Sequence, residues 1–150
     1  MAGKARILIV DDNENMLETL SDILQEQGYE TETAKTGKEA IRKAKNIPIN
    51  IAIIDIKLPD ITGIEVLQTF RRLYPNRKNI IITANATLLN TIDALNMGAD
   101  AYIMKPVDHN RLEQALTQCL EEQQKREESI TEIRKMLGEQ KLIRRLYDKI

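Results

Sequence analysis

Three short runs constrain this chain more than anything else in it: RILIV (Arg6–Val10), IAII (Ile51–Ile54) and NIIIT (Asn79–Thr83). Each is rich in β-branched residues and almost continuously apolar, as a strand covered on both faces should be. The segments between them supply the cover. Met16, Leu17, Leu20, Ile23 and Leu24 share one helical face, as do Ala40, Ile41 and Ala44. Ile64, Val66, Leu67, Phe70 and Leu73 form a third face, and Leu88, Leu89, Ile92, Leu95 and Met97 a fourth. Two weaker runs, ETETA (Glu30–Ala34) and AYIM (Ala101–Met104), belong nearer the sheet edges and complete five β/α units. With right-handed crossovers, such a chain builds a doubly wound α/β fold: a five-stranded parallel sheet with helices on both faces. Gly28 and Gly98 stop helices, Asn13 and Thr36 are candidate caps, and Pro59 with Gly63 marks a loop.

The charged residues sit where this fold would gather them. Asp11 and Asp12 follow the first strand directly, and Asp55 ends the third. In a sheet of order 2-1-3-4-5, strands one and three are neighbours at the point where chain order reverses, and ligands bind there at the carboxyl ends. Three carboxylates would then converge on one crevice. A single aspartate at a strand end is ordinarily a turn former or a helix cap. Three together repel one another unless a cation offsets the repulsion, and Mg²⁺, hard and oxygen-seeking, suits such a set.

Composition removes several alternatives. Twenty-two Lys and Arg against twenty-three Asp and Glu leave a net charge of −1, which argues against a broad electrostatic grip on nucleic acid. Cys119 is the only cysteine, so no internal disulfide or cysteine-rich zinc site can form, and His109 is the only histidine. No apolar run approaches the roughly 18 residues of a membrane span, and no signal-peptide pattern opens the chain. The expected location is cytoplasmic.

Four motifs, in order and at the expected strand ends, carry a family resemblance: VDDNE (Val10–Glu14), DIKLPDITG (Asp55–Gly63), ITA (Ile82–Ala84) and GADAYIMKP (Gly98–Pro106). From residue 4 to residue 120 the chain resembles a receiver domain of two-component response regulators, of the stand-alone type. The resemblance implies a flavodoxin-like fold and a phosphorylation-activated switch. Asp55 would be the phosphoacceptor, taking the group from a sensor histidine kinase or a phosphotransfer protein. Asp11, Asp12, Asp55 and the backbone carbonyl of Lys57 would hold Mg²⁺. Lys105 would reach the phosphoryl oxygens, with its bond to Pro106 cis, and Thr83 would bond one of those oxygens. Tyr102 would change rotamer as the Thr83 loop moves, reporting to a downstream protein through the face of helix four, strand five and helix five. Lys57 and Asn85 occupy the positions that tune phosphoryl lifetime: a cation at Lys57 could shield the group while Asn85 could orient water. With no acid at either position, the expectation leans to slow hydrolysis. The chain would be regulatory rather than an enzyme, catalysing only its own phosphorylation and dephosphorylation. The competing readings are an Mg²⁺-dependent phosphohydrolase, which usually carries an acid where Lys57 stands, and a non-phosphorylated scaffold or dimerisation module.

Residues 121–150 go beyond a minimal receiver and form no recognisable output domain. EEQQKREES (Glu121–Ser129) is built of strong helix formers, and Ile130, Ile133 and Leu137 continue an apolar stripe. Gly138 is expected to interrupt the helix before a short terminal one bearing Leu142, Ile143, Leu146 and Ile150. The segment is short for a coiled coil of the usual three to four heptads. Its stripe should fold back on the domain, pair with a second copy or dock a partner. Direct sequence-specific DNA binding is not expected, because a helix-turn-helix unit needs about twice this length. A homodimer would form through these helices or through the face of helix four, strand five and helix five.

Overall fold

A computed structural model describes residues 5–84 and 87–149, with the side chains of residues 88–90 left aside. Expectations resting on Lys4, Asn85, Ile150 and the side chains of Leu88 and Leu89 lie outside the described residues.

The elements alternate as β1 (Arg6–Val10), α1 (Glu14–Glu26), β2 (Glu30–Ala34), α2 (Gly37–Asn46), β3 (Ile51–Asp55), α3 (Gly63–Leu73), β4 (Lys78–Thr83), α4 (Leu88–Asn96), β5 (Ala101–Met104) and α5 (His109–Asp148). All strands are parallel, in the order β2-β1-β3-β4-β5, so the two weak runs are the edges. The three isoleucine-rich strands are central and almost wholly buried. Their alternate residues face opposite layers. Ile7, Ile9, Ile51, Ile53, Ile80 and Ile82 meet Leu17, Leu20 and Leu24 of α1 and Leu112, Leu116 and Cys119 of α5. Leu8, Val10, Ile54 and Ile81 meet Ala40 and Ala44 of α2, Val66, Leu67 and Phe70 of α3, and Ala94 of α4. Each such burial of a large aliphatic residue contributes about 1.5–3 kcal/mol.

Helix starts are capped by side chains. Asn13 accepts from the Met16 amide, Thr36 from Glu39, Thr62 from Glu65, and Asp108 from Asn110 and Arg111. Gly28 and Gly98 take the left-handed conformation, with φ of +96° and +90°, just after α1 and α4.

Two expectations about helical faces are corrected. Among the described side chains of α4 the one driven into the core is Ala94, fully buried, whereas Ile92, Leu95 and, just past the helix, Met97 are 43%, 55% and 37% exposed. A small residue at the contact lets the helix approach the sheet closely and leaves its larger neighbours outside. On α5 there is no break at Gly138: the helix runs for 40 residues, a rod of about 60 Å. An isolated glycine costs only about 1 kcal/mol against alanine, less than ending one helix and nucleating another. Nor does the apolar stripe fold back past Ile130, which is half-buried and lines a cleft with Asn50, Asn76 and Arg77. Among the described residues the last polar ties to the domain are the Lys78 ammonium, 3.0 Å from Glu122, and the Gln123 amide, which donates to Asn50 O at 2.8 Å and Asn76 O at 3.1 Å. Beyond them Ile133, Met136, Leu137, Leu142, Ile143, Leu146 and Tyr147 are all more than half exposed.

Two substitutions test this packing. Asn79 in β4 is completely buried, and neither end of its amide has a partner among the described residues. Asn79→Val should therefore raise unfolding stability in urea by about 1 kcal/mol or more, since an unsatisfied buried amide costs roughly 1–3 kcal/mol and valine suits a strand. A Cβ at Gly138 would meet nothing within 4 Å. Gly138→Ala should slow amide hydrogen exchange locally around position 138, by about 0.5–1 kcal/mol of opening free energy. Faster exchange there would contradict a continuous helix.

Candidate functional site

Register alone brings the first two acids together. Val10 lies opposite Ile54 across β1 and β3, so the next residue on each strand is an aspartate. Asp11 is 4% exposed and Asp55 7%, while Asp12 points into solvent. One carboxylate oxygen from each of the three lies within 4.8 Å of the others. Lys105 reaches this cluster from the end of β5, its Nζ 2.8 Å from Asp11 Oδ2 and 2.9 Å from Asp55 Oδ2. Its backbone is held by donation from the Lys105 amide to Thr83 O at 2.8 Å, and the Lys105–Pro106 bond is cis. The second oxygens are also engaged: Asp11 Oδ1 accepts from the Asn13 amide at 2.9 Å and Asp55 Oδ1 from the Lys57 amide at 3.2 Å.

Burial pushes the Asp55 carboxyl above its ordinary value, and the charge of Asp11 adds to the rise. Hydrogen bonds from Lys105 and the Lys57 amide oppose it without cancelling it. For Lys105 burial works against the ammonium, yet the two carboxylates hold its pKa above the ordinary value. The cluster is therefore short of positive charge and rich in oxygen. Three carboxylates with no histidine or thiolate among them suit a hard divalent cation of the Mg²⁺ type.

A cleft of about 240 Å³ opens over the acids, lined by Asp12, Asp55, Lys57, Leu58, Pro59, Thr83 and Ala84. It places the buried Thr83, at the end of β4, beside the same opening. Thus Asp11, Asp12, Asp55, Lys57, Thr83 and Lys105 gather at one end of the sheet. Tyr102 stands apart: its ring packs into the core on the α2–α3–α4 side, and its hydroxyl is buried without a partner among the described residues.

Sequence reasoning marked Gly63 as a loop residue but assigned no role to Asp60 or Ile61, which also fix the loop after β3. Asp60 reaches back to the start of α2, its Oδ1 accepting from the Gly37 amide and its Oδ2 from Lys38, both at 2.9 Å. Ile61 fills the place where a Cβ on Gly37 would sit, at 2.4 Å. Gly63 donates its amide to Ile56 O at 2.7 Å, and a Cβ on it would come 2.1 Å from Asp55 O. The backbone carrying Asp55 thus closes against a residue that can only be glycine. The aspartate in LPDITG was a visible signal, but its partners lie 22 and 23 residues away, beyond what local pattern discloses.

The family model for the response regulator receiver domain matches residues 7–117. The chemotaxis protein CheY of Thermotoga maritima is 36% identical over 112 residues, 74% of this chain and 93% of that protein. The regulatory protein AtoC of Escherichia coli K12 is 33% identical over 128 residues, covering 85% of this chain, which spans only 28% of that longer relative. The crystal structure of a CheY-like receiver domain protein from Methanospirillum hungatei superposes with a TM-score of 0.80 at 44% identity, over 83% of this chain and 99% of that one.

The Asp60 staple makes a pH prediction. Desolvation works against its ionisation, but the amides of Lys38, Gly37, Ile61 and Asp60 itself hold the carboxyl down to about 2. A folded-state value below the unfolded one gives stability that is complete above the ordinary value of 3.8 and is lost as pH falls towards 2. Asp60→Asn should therefore be less stable than the parent at neutral pH, and urea titrations between pH 4 and pH 2 should show the gap closing. A gap constant over that interval would remove this role.

Proposed function

The chain belongs to the response regulator receiver family, and from that premise we propose that it is a phosphorylation-activated switch whose acceptor is Asp55. Receiver domains are regulatory, take phosphoryl groups from histidine kinases, act on downstream targets and bind Mg²⁺ at an acidic pocket. The observation that supports the assignment here is the Lys105 ammonium lodged between Asp11 and Asp55, with Asp55 also lining a cleft shared with Asp12 and Thr83.

A carboxylate oxygen of Asp55 attacks the phosphorus of a phosphohistidine. The P–N bond breaks, its electron pair leaves on the imidazole nitrogen, and an aspartyl phosphate remains. Such transfer asks little covalent chemistry of the protein, and most of the acceleration comes from positioning and charge neutralisation. Lys105, already bonded to the acceptor carboxylate, turns its ammonium to the incoming phosphoryl oxygens. The Thr83 hydroxyl donates to another of them. Asp11, Asp12, Asp55 and the Lys57 carbonyl would hold Mg²⁺, whose charge offsets that of the carboxylates and the phosphoryl group.

Output follows from the far side of β4. As Thr83 engages the phosphoryl group, its loop shifts and Tyr102 repacks, biasing a two-state equilibrium on the face that carries Ile92, Leu95, Met97 and Met104. These exposed apolar residues are the surface a downstream protein would read. Residues 4–120 would constitute the receiver, and 121–150 a helical extension of it. Among the described residues no helix is long and apolar enough to cross a membrane.

Incubation with radiolabelled acetyl phosphate and Mg²⁺ tests the reading. One phosphoryl group per chain is expected, absent in Asp55→Asn, abolished by chelation, and formed at least about tenfold more slowly in Lys105→Ala. Label should then be lost slowly, with Lys57 shielding the group. Repeated turnover without accumulation would make the protein a phosphohydrolase, and no labelling at all would leave a scaffold.

A further inference from the structure

The final third of α5 has nothing packed on it among the described residues, and four of its exposed apolar residues share one stripe, with Leu137 and Leu146 flanking it and Leu142 outside it. Ile133, Met136, Ile143 and Tyr147 fall at alternating spacings of three and four, with Gln140 completing the series. Written as a heptad, Ile133, Gln140 and Tyr147 are a positions and Met136 and Ile143 are d positions. Glu139 is then a g residue and Arg144 an e residue. A hollow of about 620 Å³ lies along the same side, lined by Leu137, Gln140, Lys141, Ile143, Arg144 and Tyr147. Within it Gln140, Ile143, Arg144 and Tyr147 stand at i, i+3, i+4 and i+7. That is the four-residue hole that receives a d side chain from a parallel neighbour.

We propose that this seam pairs with the same seam of a second copy of the chain, as a parallel, in-register coiled coil. The occupant is a second copy because the surface is complementary to itself. Ile143 is the side chain that the hole takes. Glu139 of one chain faces Arg144 of the other, and two-fold symmetry repeats the pair on the opposite side. Gln140 opposite its own copy makes one polar a layer, and a shifted register would set it against an apolar a residue instead. An antiparallel pairing would set Glu139 against Glu139 instead. The seam is short, but its helix is already nucleated by the packing of Leu112, Leu116 and Cys119, so pairing need not supply the cost of starting a helix. The residues concerned lie on α5 well past the acids, so pairing and phosphorylation stand or fall separately.

Sedimentation equilibrium of the full chain from about 1 to 200 µM, with acetyl-phosphate labelling of the same samples, tests the proposal. The expected mass is twice that of the chain at the upper end. Ile143→Asp should weaken association by at least about a hundredfold while leaving Asp55 labelling intact. Glu139→Arg should weaken it too, and Glu139→Arg with Arg144→Glu should restore it. Gln140→Cys should form a disulfide-linked dimer on oxidation, without competition from Cys119, which is buried with its thiol pushed up to about 12. A monomer throughout the range, a dimer indifferent to Ile143→Asp, or a dimer in which the Gln140→Cys chains fail to cross-link would each overturn the parallel seam. Loss of labelling in a chain that still pairs would overturn the switch instead.

Discussion

Two buried carboxylates and one ammonium share the carboxyl end of the sheet, and the local architecture is arranged around keeping them there. Within 4.8 Å of each other, the charges of Asp11 and Asp55 repel by roughly 3 kcal/mol at an effective dielectric of about 20, before any cost of burial. Lys105 offsets that repulsion by sitting 2.8 and 2.9 Å from the two. Its backbone amide is tied to Thr83 of β4, so four strands, β1, β3, β4 and β5, must be in register for the triad to exist. The isoleucine-rich strands supply that register. The site is thus a property of the sheet, and the loops above it refine what the sheet has already placed.

How much of this could be read from residue order depended on whether the cause was local. The central strands were legible because β-branched apolar runs leave little else for a chain to do. The convergence of Asp11, Asp12 and Asp55 was legible because strand order and strand ends follow from alternation. The Asp60 staple was not, since a carboxylate capping a helix 22 residues earlier leaves no periodic trace. The α4 face misled in another way. Ile92, Leu95 and Met97 carry a helical period, but periodicity cannot say whether a neighbouring alanine is the residue the core accepts, and here Ala94 was. Gly138 misled because a propensity of about 1 kcal/mol is a weak prior against a run of strong helix formers.

Helix α5 lives in two environments. Its first three turns are core, with Leu112, Leu116 and Cys119 sealing one face of the sheet. Its last turns carry residues as apolar as those, but in water. Between them Glu122 and Gln123 fasten the rod to β4 and to the backbone at Asn50 and Asn76, at the end of the domain opposite the acids.

That fastening turns an unbroken helix into a mechanical pointer. From Cys119 to Asp148 the rod projects about 40 Å, so a tilt of about 5° at its seat sweeps the tip through roughly 4 Å. Side-chain rearrangements too small to alter the domain's outline would be magnified to the width of a strand spacing at the far end.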